Sequence, residues 1–426
     1  MKFYSTRDSS HKLFALSDAA FLGLAPDGGL FVPERIPQVD MAEVQRLAEV
    51  SYADMAGYLA GVIFDDVPSD VIADVVAKAY NFDINLHFFD MKKGALELFH
   101  GPTFAFKDFG ARFMGQMTGR LNTTDGLTIL TATSGDTGSA VAGGFYNVPG
   151  VDVVILYPDG KVSPLQEAQM TTLGGNIHPL RVRGNFDDCQ RLVKTMFGDT
   201  DLRARKRITS ANSINLLRWI PQSFYYFYAH CLWSAFTGGS AADIVVPSGN
   251  YGNITAGMLA SKMGMPVRRF VAASNANDVV PEFLITGDYK PRASVRTVAN
   301  AMDVGAPSNF ERMMWLYGDV ETLRRQVVGF SATDAEILDA IREIEDKYGY
   351  ISDPHSAVGY LAAKHYDIEG YWLSTASPAK FGEVIEKAVG HWPEIPAALR
   401  ERMEKERVYT MMDACEADLK DYLLSL

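Results

Sequence analysis

The sequence is poor in the features that usually announce a protein class. Only 3 of its 426 residues are cysteine, and Cys189, Cys231 and Cys415 lie far apart with no CxxC among them. An odd, scattered set argues against a disulfide framework and against a zinc site, and it suits a reducing compartment. None of the 8 histidines has HExxH spacing, so they read as structural or surface residues and no metal is expected. Positive charge is in deficit: 40 Lys and Arg face 52 Asp and Glu, for a net charge of −12. Nucleic acid and anionic membrane surfaces are therefore poor partners. The most apolar stretch, residues 220–236, is interrupted by Pro221, Gln222, Ser223 and His230. It falls short of the ~20 residues needed to span a bilayer and reads as a buried helix. The opening MKFYSTRDSSHKLF has neither an apolar core nor Arg-rich amphipathic character, so no targeting segment is expected and the expected location is the cytoplasm. Repeats and low-complexity segments are missing too.

What is present is the mix of an ordinary globular protein, 47% hydrophobic and 22% charged, long enough to bury a large core without staples. At ~100–200 residues per domain, two or three domains are expected. The first hundred residues are mixed, with a turn-rich loop at 27–37 and helical spacing over 41–59. The middle alternates strand and helix signals. Strands are expected at 127–133, 151–157, 177–182, 244–247 and 267–273. Helices are expected at 139–146, 163–173, 186–197 and 254–263. Such alternation argues for parallel sheets covered by helices, with ligands at the carboxyl ends of the strands. Beyond Ser331 the pattern is mainly helical, apart from a short apolar strand and polar turn over 373–380. The best boundary is Thr237-Gly238-Gly239-Ser240. The expected division is 1–95 as an N-terminal region, 96–240 as a smaller α/β domain and 241–426 as a larger one.

Two loops share one design. TSGDTG (133–138) and SGNYGN (248–253) each follow an apolar strand, open a helix and are rich in glycine and small polar residues. Free N–H groups at a helix start bind anions, and glycine lets the backbone approach closely. Either loop alone reads as an ordinary tight turn; two of one build leave a double anion site equally open. Neither is GxxxxGK[ST] or GxGxxG, which disfavours a nucleotide triphosphatase and a Rossmann dehydrogenase. Lys107 sits among small and aromatic residues in GPTFAFKDFG. A lysine in apolar surroundings loses basicity and can act as an amine nucleophile; the alternatives are a snorkelling side chain or a partner for Asp108. In NSINLLR, Asn212, Asn215 and Arg218 would share a face if the segment were helical. Arg218 could then clamp a phosphate or carboxylate, or be a surface arginine behind a helix cap. Thr375, in LSTASPAKF, could hydrogen-bond a ring nitrogen or cap the next turn.

These blocks, with DGGLFVP, TATSGDTGSA, VPSGNYGNITAGMLA and NAMDVGAPSNFER, occur between residues 27 and 381 in the order found in the threonine synthases. The sequence resembles that family of fold-type-II pyridoxal-phosphate (PLP) enzymes, in its branch with a long N-terminal region. The resemblance implies an α/β fold like the tryptophan synthase β chain, with two parallel-type sheets flanked by helices. It implies PLP as cofactor, Lys107 as its Schiff-base lysine, and Gly249, Asn250, Tyr251, Gly252 and Asn253 as the loop holding its phosphate. Thr375 would lie beside the pyridine nitrogen. Ser134, Asp136 and Thr137, with Asn212, Ser213, Asn215 and Arg218, would face the substrate. The implied reaction is elimination of the γ-phosphate of O-phospho-L-homoserine and addition of water at Cβ, giving L-threonine, in a monomer or homodimer. The chain departs from many relatives in having Tyr251 for Phe, Asn253 for Asp and Ser377 for His. A PLP-dependent phospho-lyase or dehydratase giving 2-oxobutyrate, and a non-catalytic relative, are the competing readings; fold does not fix reaction.

Overall fold

The computed structural model describes residues 1–122 and 126–426. Two short strands, β1 (Phe3–Ser5) and β2 (Phe31–Pro33), pair antiparallel in the N-terminal region. The remaining strands are β3 (Asn85–Phe88), β4 (Lys93–Glu97), β5 (Leu127–Ala132), β6 (Val151–Pro158), β7 (Ile177–Arg183), β8 (Arg207–Thr209), β9 (Ala242–Pro247), β10 (Val267–Ser274), β11 (Val327–Ser331), β12 (Gly370–Ser374) and β13 (Thr410–Asp413). They form a six-stranded sheet in the order β11-β10-β9-β12-β4-β3 and a five-stranded sheet in the order β13-β7-β6-β5-β8. Every pairing in the two is parallel except β3 with β4. The expected class, α/β with two parallel-type sheets flanked by helices, is the observed one.

The reason lies in the strand sequences. LTILTA in β5 and ADIVVP in β9 are buried at every position, and VDVVILYP in β6 at every position but one. Near-continuous apolar runs of this kind suit strands covered by helices on both faces. The helices between them begin at clear signals. Ser163 caps Pro164–Thr171 with proline in its first turn, and Asn185 with Asp188, like Thr333 with Glu336, makes a reciprocal capping box. The single helical run expected over 41–59 is two helices, Met41–Ala48 and Tyr52–Ile63, because Ser51 is extended and its hydroxyl caps the second. The stretch expected as a buried helix is one, Gln222–Thr237.

Sheet membership does not follow chain order. β3 and part of β4 precede residue 96 yet lie in the sheet of the larger domain, and β13 returns near the C-terminus to the edge of the smaller sheet. A division at fixed chain positions therefore separates strands that are hydrogen-bonded together. Strand β13 escaped the sequence reading because TMMD is short and buries only one side chain. No helix among the described residues is long and apolar enough to cross a membrane.

Candidate active site

The loops that leave β5, β8, β9 and β12 line a single cavity of about 560 Å³, at the carboxyl ends of the strands of both sheets, where ligands of open α/β sheets bind. Glycines set its geometry. A Cβ on Gly115 would lie 2.0 Å from the Gly144 carbonyl oxygen, and one on Gly144 would lie 2.7 Å from that of Ala111. Helices Lys107–Leu121 and Asp136–Phe145 thus meet backbone to backbone, which brings their first residues, Lys107 and Asp136, to one wall. A Cβ on Gly110 would meet the Arg218 carbonyl oxygen at 2.4 Å, so the same helix seats the segment bearing Arg218.

Lys107 is fixed from the other sheet. Phe106 donates its N–H to the Thr375 carbonyl (2.8 Å), Ser377 to that of Phe104 (3.0 Å), and Ala105 bridges Ala376. The end of β12 therefore lies alongside the approach to Lys107. The Thr375 N–H donates to Ser356 Oγ at 2.9 Å, and its hydroxyl, on the cavity wall, makes no hydrogen bond to a described residue. Ser356 Oγ in turn hydrogen-bonds Asp353. Asp353 also receives His355 Nδ1 at 2.8 Å, and His355 Nε2 accepts the Ala301 N–H at 3.1 Å.

The Lys107 side chain is 16% exposed, with its Nζ 3.8 Å from Asp136 Oδ2. Burial lowers its basicity; Asp136 opposes this, and the nearby Lys380 and Arg218 cations reinforce it. Asp108 is not its partner: that carboxylate accepts the N–H (2.8 Å) and hydroxyl (2.6 Å) of Thr103. Burial alone would push Asp136 upward. The Lys380 and Lys107 charges, and hydrogen bonds from Lys380 and Gln166, overcome burial and hold it well below the usual carboxylate range.

The two glycine loops differ. In SGNYGN, Tyr251 takes the left-handed conformation (φ 61°) just before helix Gly252–Lys262. Among the described residues, the N–H groups from Gly249 to Asn253 have no partner. The side chains hold the loop instead. Asn250 donates to Ser213 Oγ (2.7 Å) and accepts the Ser308 N–H (2.7 Å). Asn253 donates to the Pro247 carbonyl (2.8 Å) and accepts from Ser248 Oγ (2.8 Å), while the Tyr251 hydroxyl meets that of Ser274. In TSGDTG, the Thr133 hydroxyl takes the N–H of Gly135 (2.9 Å) and Gly138 (2.8 Å), and the buried Asp136 carboxylate occupies the first helical turn. One loop leaves its N–H groups without a partner among the described residues, and the other already carries an anion. The double anion site left open by the sequence is thus a single cradle facing an acid-bearing wall.

The cavity brings together Lys107, Ser134, Asp136, Thr137, Asn212, Ser213, Arg218, Thr375 and the whole 249–253 loop. Asn215 does not join them. The helical face supposed for NSINLLR does not exist, because the helix starts at Leu216 and Asn215 is its cap. Its amide donates to the carbonyls of Ala20 (2.8 Å) and Ser210 (3.1 Å), holding the segment to the N-terminal region. Arg218 is buried rather than a surface residue, and its Nε and Nη1 find no partner among the described residues. Burial pulls its pKa down to about 10, against the opposing pull of Asp108. Arg312, fully buried, carries the loop from behind: it donates to the carbonyls of Ser213 (2.9 Å), Ile214 (2.8 Å) and Phe31 (3.1 Å). Sequence reasoning passed over Lys380, His355, Asp353 and Arg312. Arg312 and Lys380 lie inside quoted blocks, whose spacing does not show which side chain turns inward, and Asp353 and His355 lie outside all of them. No group of His, Cys, Asp and Glu that could hold a metal occurs among the described residues.

Known proteins agree with this arrangement along the whole chain. Residues 96–370 match the family model described as pyridoxal-phosphate dependent enzyme, residues 2–80 the threonine synthase N terminus, and residues 356–423 the threonine synthase C-terminal model. A threonine synthase of Serratia marcescens is 41% identical over 430 residues, covering 100% of both chains. The crystal structure of PLP-bound threonine synthase from Brucella melitensis superposes with a TM-score of 0.94 at 34% identity, covering 100% of this chain and 99% of that one. The threonine synthase structure from Escherichia coli gives 0.90 at 38%, covering both chains completely.

Proposed function

The chain belongs to the threonine synthase family of PLP-dependent enzymes, and we propose that its cavity converts O-phospho-L-homoserine and water into L-threonine and phosphate. The single observation that carries the reading is the pairing, in one cavity, of a partly buried lysine of lowered basicity with a helix start whose five N–H groups are left for an anion. The residues present fit the cofactor. The 249–253 loop would hold its phosphate, Thr375 would offer a neutral hydroxyl to the ring nitrogen, and Lys107 would hold its aldehyde carbon. Bound PLP supplies a conjugated ring that takes up the electrons left when protons on the amine-bearing carbon and its neighbour depart.

The chain's own groups do the rest. Lys107 Nζ, once free, would be the base that accepts the α-proton, and its lowered basicity would ease the return of that proton. The buried guanidinium of Arg218, whose Nε and Nη1 have no partner among the described residues, receives an anionic group of the substrate. If that group is the phosphate, the fixed charge supports its departure. The hydroxyls of Ser134 and Thr137 make no hydrogen bond to a described residue and face the same space. They are the donors we assign to the substrate's other polar end, with Asn212 beside them. A threonine beside the ring nitrogen does not enforce a pyridinium as a carboxylate would, which favours elimination and replacement over amine exchange. The same reading places the enzyme in the cytoplasm, consistent with three free cysteines.

Incubating the PLP-loaded protein with O-phospho-L-homoserine in heavy-oxygen water tests this. The expected products are phosphate and threonine labelled in its hydroxyl. Phosphate with 2-oxobutyrate and no threonine would overturn the replacement step. Absence of phosphate release would overturn the substrate.

A further inference from the structure

Lys380 is a buried cation beside the cavity, its side chain 0% exposed. It sits in the turn Pro378–Phe381 that follows β12. Its Nζ reaches Asp136 Oδ1 at 2.6 Å and the Thr103 carbonyl at 2.8 Å. Gln169 Nε2 donates to the same carbonyl at 3.1 Å, and Gln166 Nε2 donates to Asp136 Oδ1 at 2.9 Å. One carboxylate oxygen is thus saturated from behind the cavity. The other, Oδ2, points toward Lys107 but stops at 3.8 Å, beyond hydrogen-bond length. A lone buried carboxylate at that distance would hold Lys107 as an ammonium, which can neither attack an aldehyde nor accept a proton.

We propose that Lys380 is a positioning residue which, by holding Asp136 in a buried ion pair, cancels that carboxylate's hold on Lys107 and keeps the Lys107 amine available to the cofactor and to proton transfer. The proposal rests on Lys107 being the cofactor's lysine. Two opposite charges 2.6 Å apart act on a third group more as a dipole than as a charge, so Lys380 offsets part of the pull of Asp136 on Lys107, and burial and Arg218 act in the same direction as Lys380. Asp108, which acts electrostatically on both Lys380 and Arg218, is turned into Thr103, and burial raises its pKa. The other charged or titratable groups on the cavity wall are otherwise engaged. Asp303 accepts from Thr297 and Asn275, Arg292 pairs with Asp278 and Glu282, His355 is held by Asp353, and the Tyr251 hydroxyl meets Ser274. Asp187 is the exception: it also lines the cavity, from the first turn of helix Phe186–Gly198.

The test reads the Lys107 amine itself in the full-length, cofactor-free chain. Trace labelling with acetic anhydride across a pH series, quantified at Lys107 by peptide mass spectrometry, gives the pH of half-reactivity. Lys380→Met should raise that pH by about one to two units, the usual effect of an opposite charge within a few ångströms. Asp136→Asn should move it the other way, because Lys380 is then an uncompensated cation. The double variant should return near the parent, and Lys380→Arg should hold near it. A packing role for Lys380 would not reverse sign between the two single variants. An unchanged or lowered value in Lys380→Met overturns the proposal. If that variant does not fold, an unchanged or raised value in Asp136→Asn does so. Capture of PLP by Lys107 in the parent chain, checked in parallel by borohydride fixation, reports separately on the reading that the proposal rests on.

Discussion

The TSGDTG and SGNYGN loops look alike in sequence, each a strand end, a glycine-rich turn and a helix start. The structure gives them opposite electrostatic tasks. SGNYGN leaves five N–H groups without protein partners, and its side chains are spent on Ser213, Ser308, Pro247 and Ser274. TSGDTG spends two of its N–H groups on Thr133 and places a buried carboxylate in the first turn of its helix. A glycine loop before a helix is therefore only a scaffold; the side chains that hold it decide whether it receives an anion or supplies one. The helix dipole favours negative charge in both places. In one it is left for a ligand, and in the other it is answered by Asp136.

Variants of the two walls should separate accordingly. The largest effect belongs to the lysine between them: Lys107→Met should lower turnover by ~10³-fold or more, as expected when a proton-transferring group is removed, and should abolish the borohydride-fixed cofactor adduct. Next is the cradle. A Cβ on Gly249 would lie 2.7 Å from Met302 Cα, so Gly249→Ala must push the 300–305 turn away. An overpacking cost of ~1–3 kcal/mol, if it falls wholly on cofactor binding, corresponds to a PLP dissociation constant raised about 5- to 150-fold, measured by absorbance titration, with turnover at saturating PLP far less affected. If turnover fell and PLP affinity held, the cradle would be misassigned. On the substrate side, Arg218→Met should raise KM for phosphohomoserine ~10- to 100-fold, the loss of charge-assisted hydrogen bonds worth ~1.5–3 kcal/mol. It should leave PLP affinity alone; unchanged kcat and KM would remove Arg218 from the site. The smallest change is Tyr251→Phe, which deletes only the contact to Ser274. Thermal or urea unfolding should show a loss of ~0.5–1.5 kcal/mol with PLP affinity within about twofold.

How much of this could be read from the chain follows from distance along it. The two loops, the strands that feed them and the alternation that makes parallel sheets are local signals, so β5, β6, β7, β9 and β10 appear where the apolar runs predict them. The helix start at Asp136, rather than after the loop, and the split at Ser51 shift boundaries without changing elements. The Asn215 expectation failed for a physical reason. Its spacing argument presumed a helix already formed, whereas an asparagine at that point caps one, and its side chain is consumed by the cap and by Ala20. Lys380 was invisible because its partners at Thr103 and Asp136 are brought to it only when the end of β12 pairs with residues 104–106. The same holds for Arg312, whose four acceptors come from the N-terminal region, the 213–214 turn and Asn309. Family resemblance named the blocks; tertiary pairing decides which side chains within them face the cavity.

The central claim is that this cavity holds PLP through Lys107, with the other buried lysine, Lys380, committed to Asp136. Borohydride reduction of the PLP-loaded protein, followed by digestion and peptide mass spectrometry, tests it directly. The account predicts a single pyridoxyl-phosphate mass on the peptide containing Lys107 and none on the peptide containing Lys380. A label on Lys380, or a bound yellow cofactor that leaves both peptides unmodified, would contradict it.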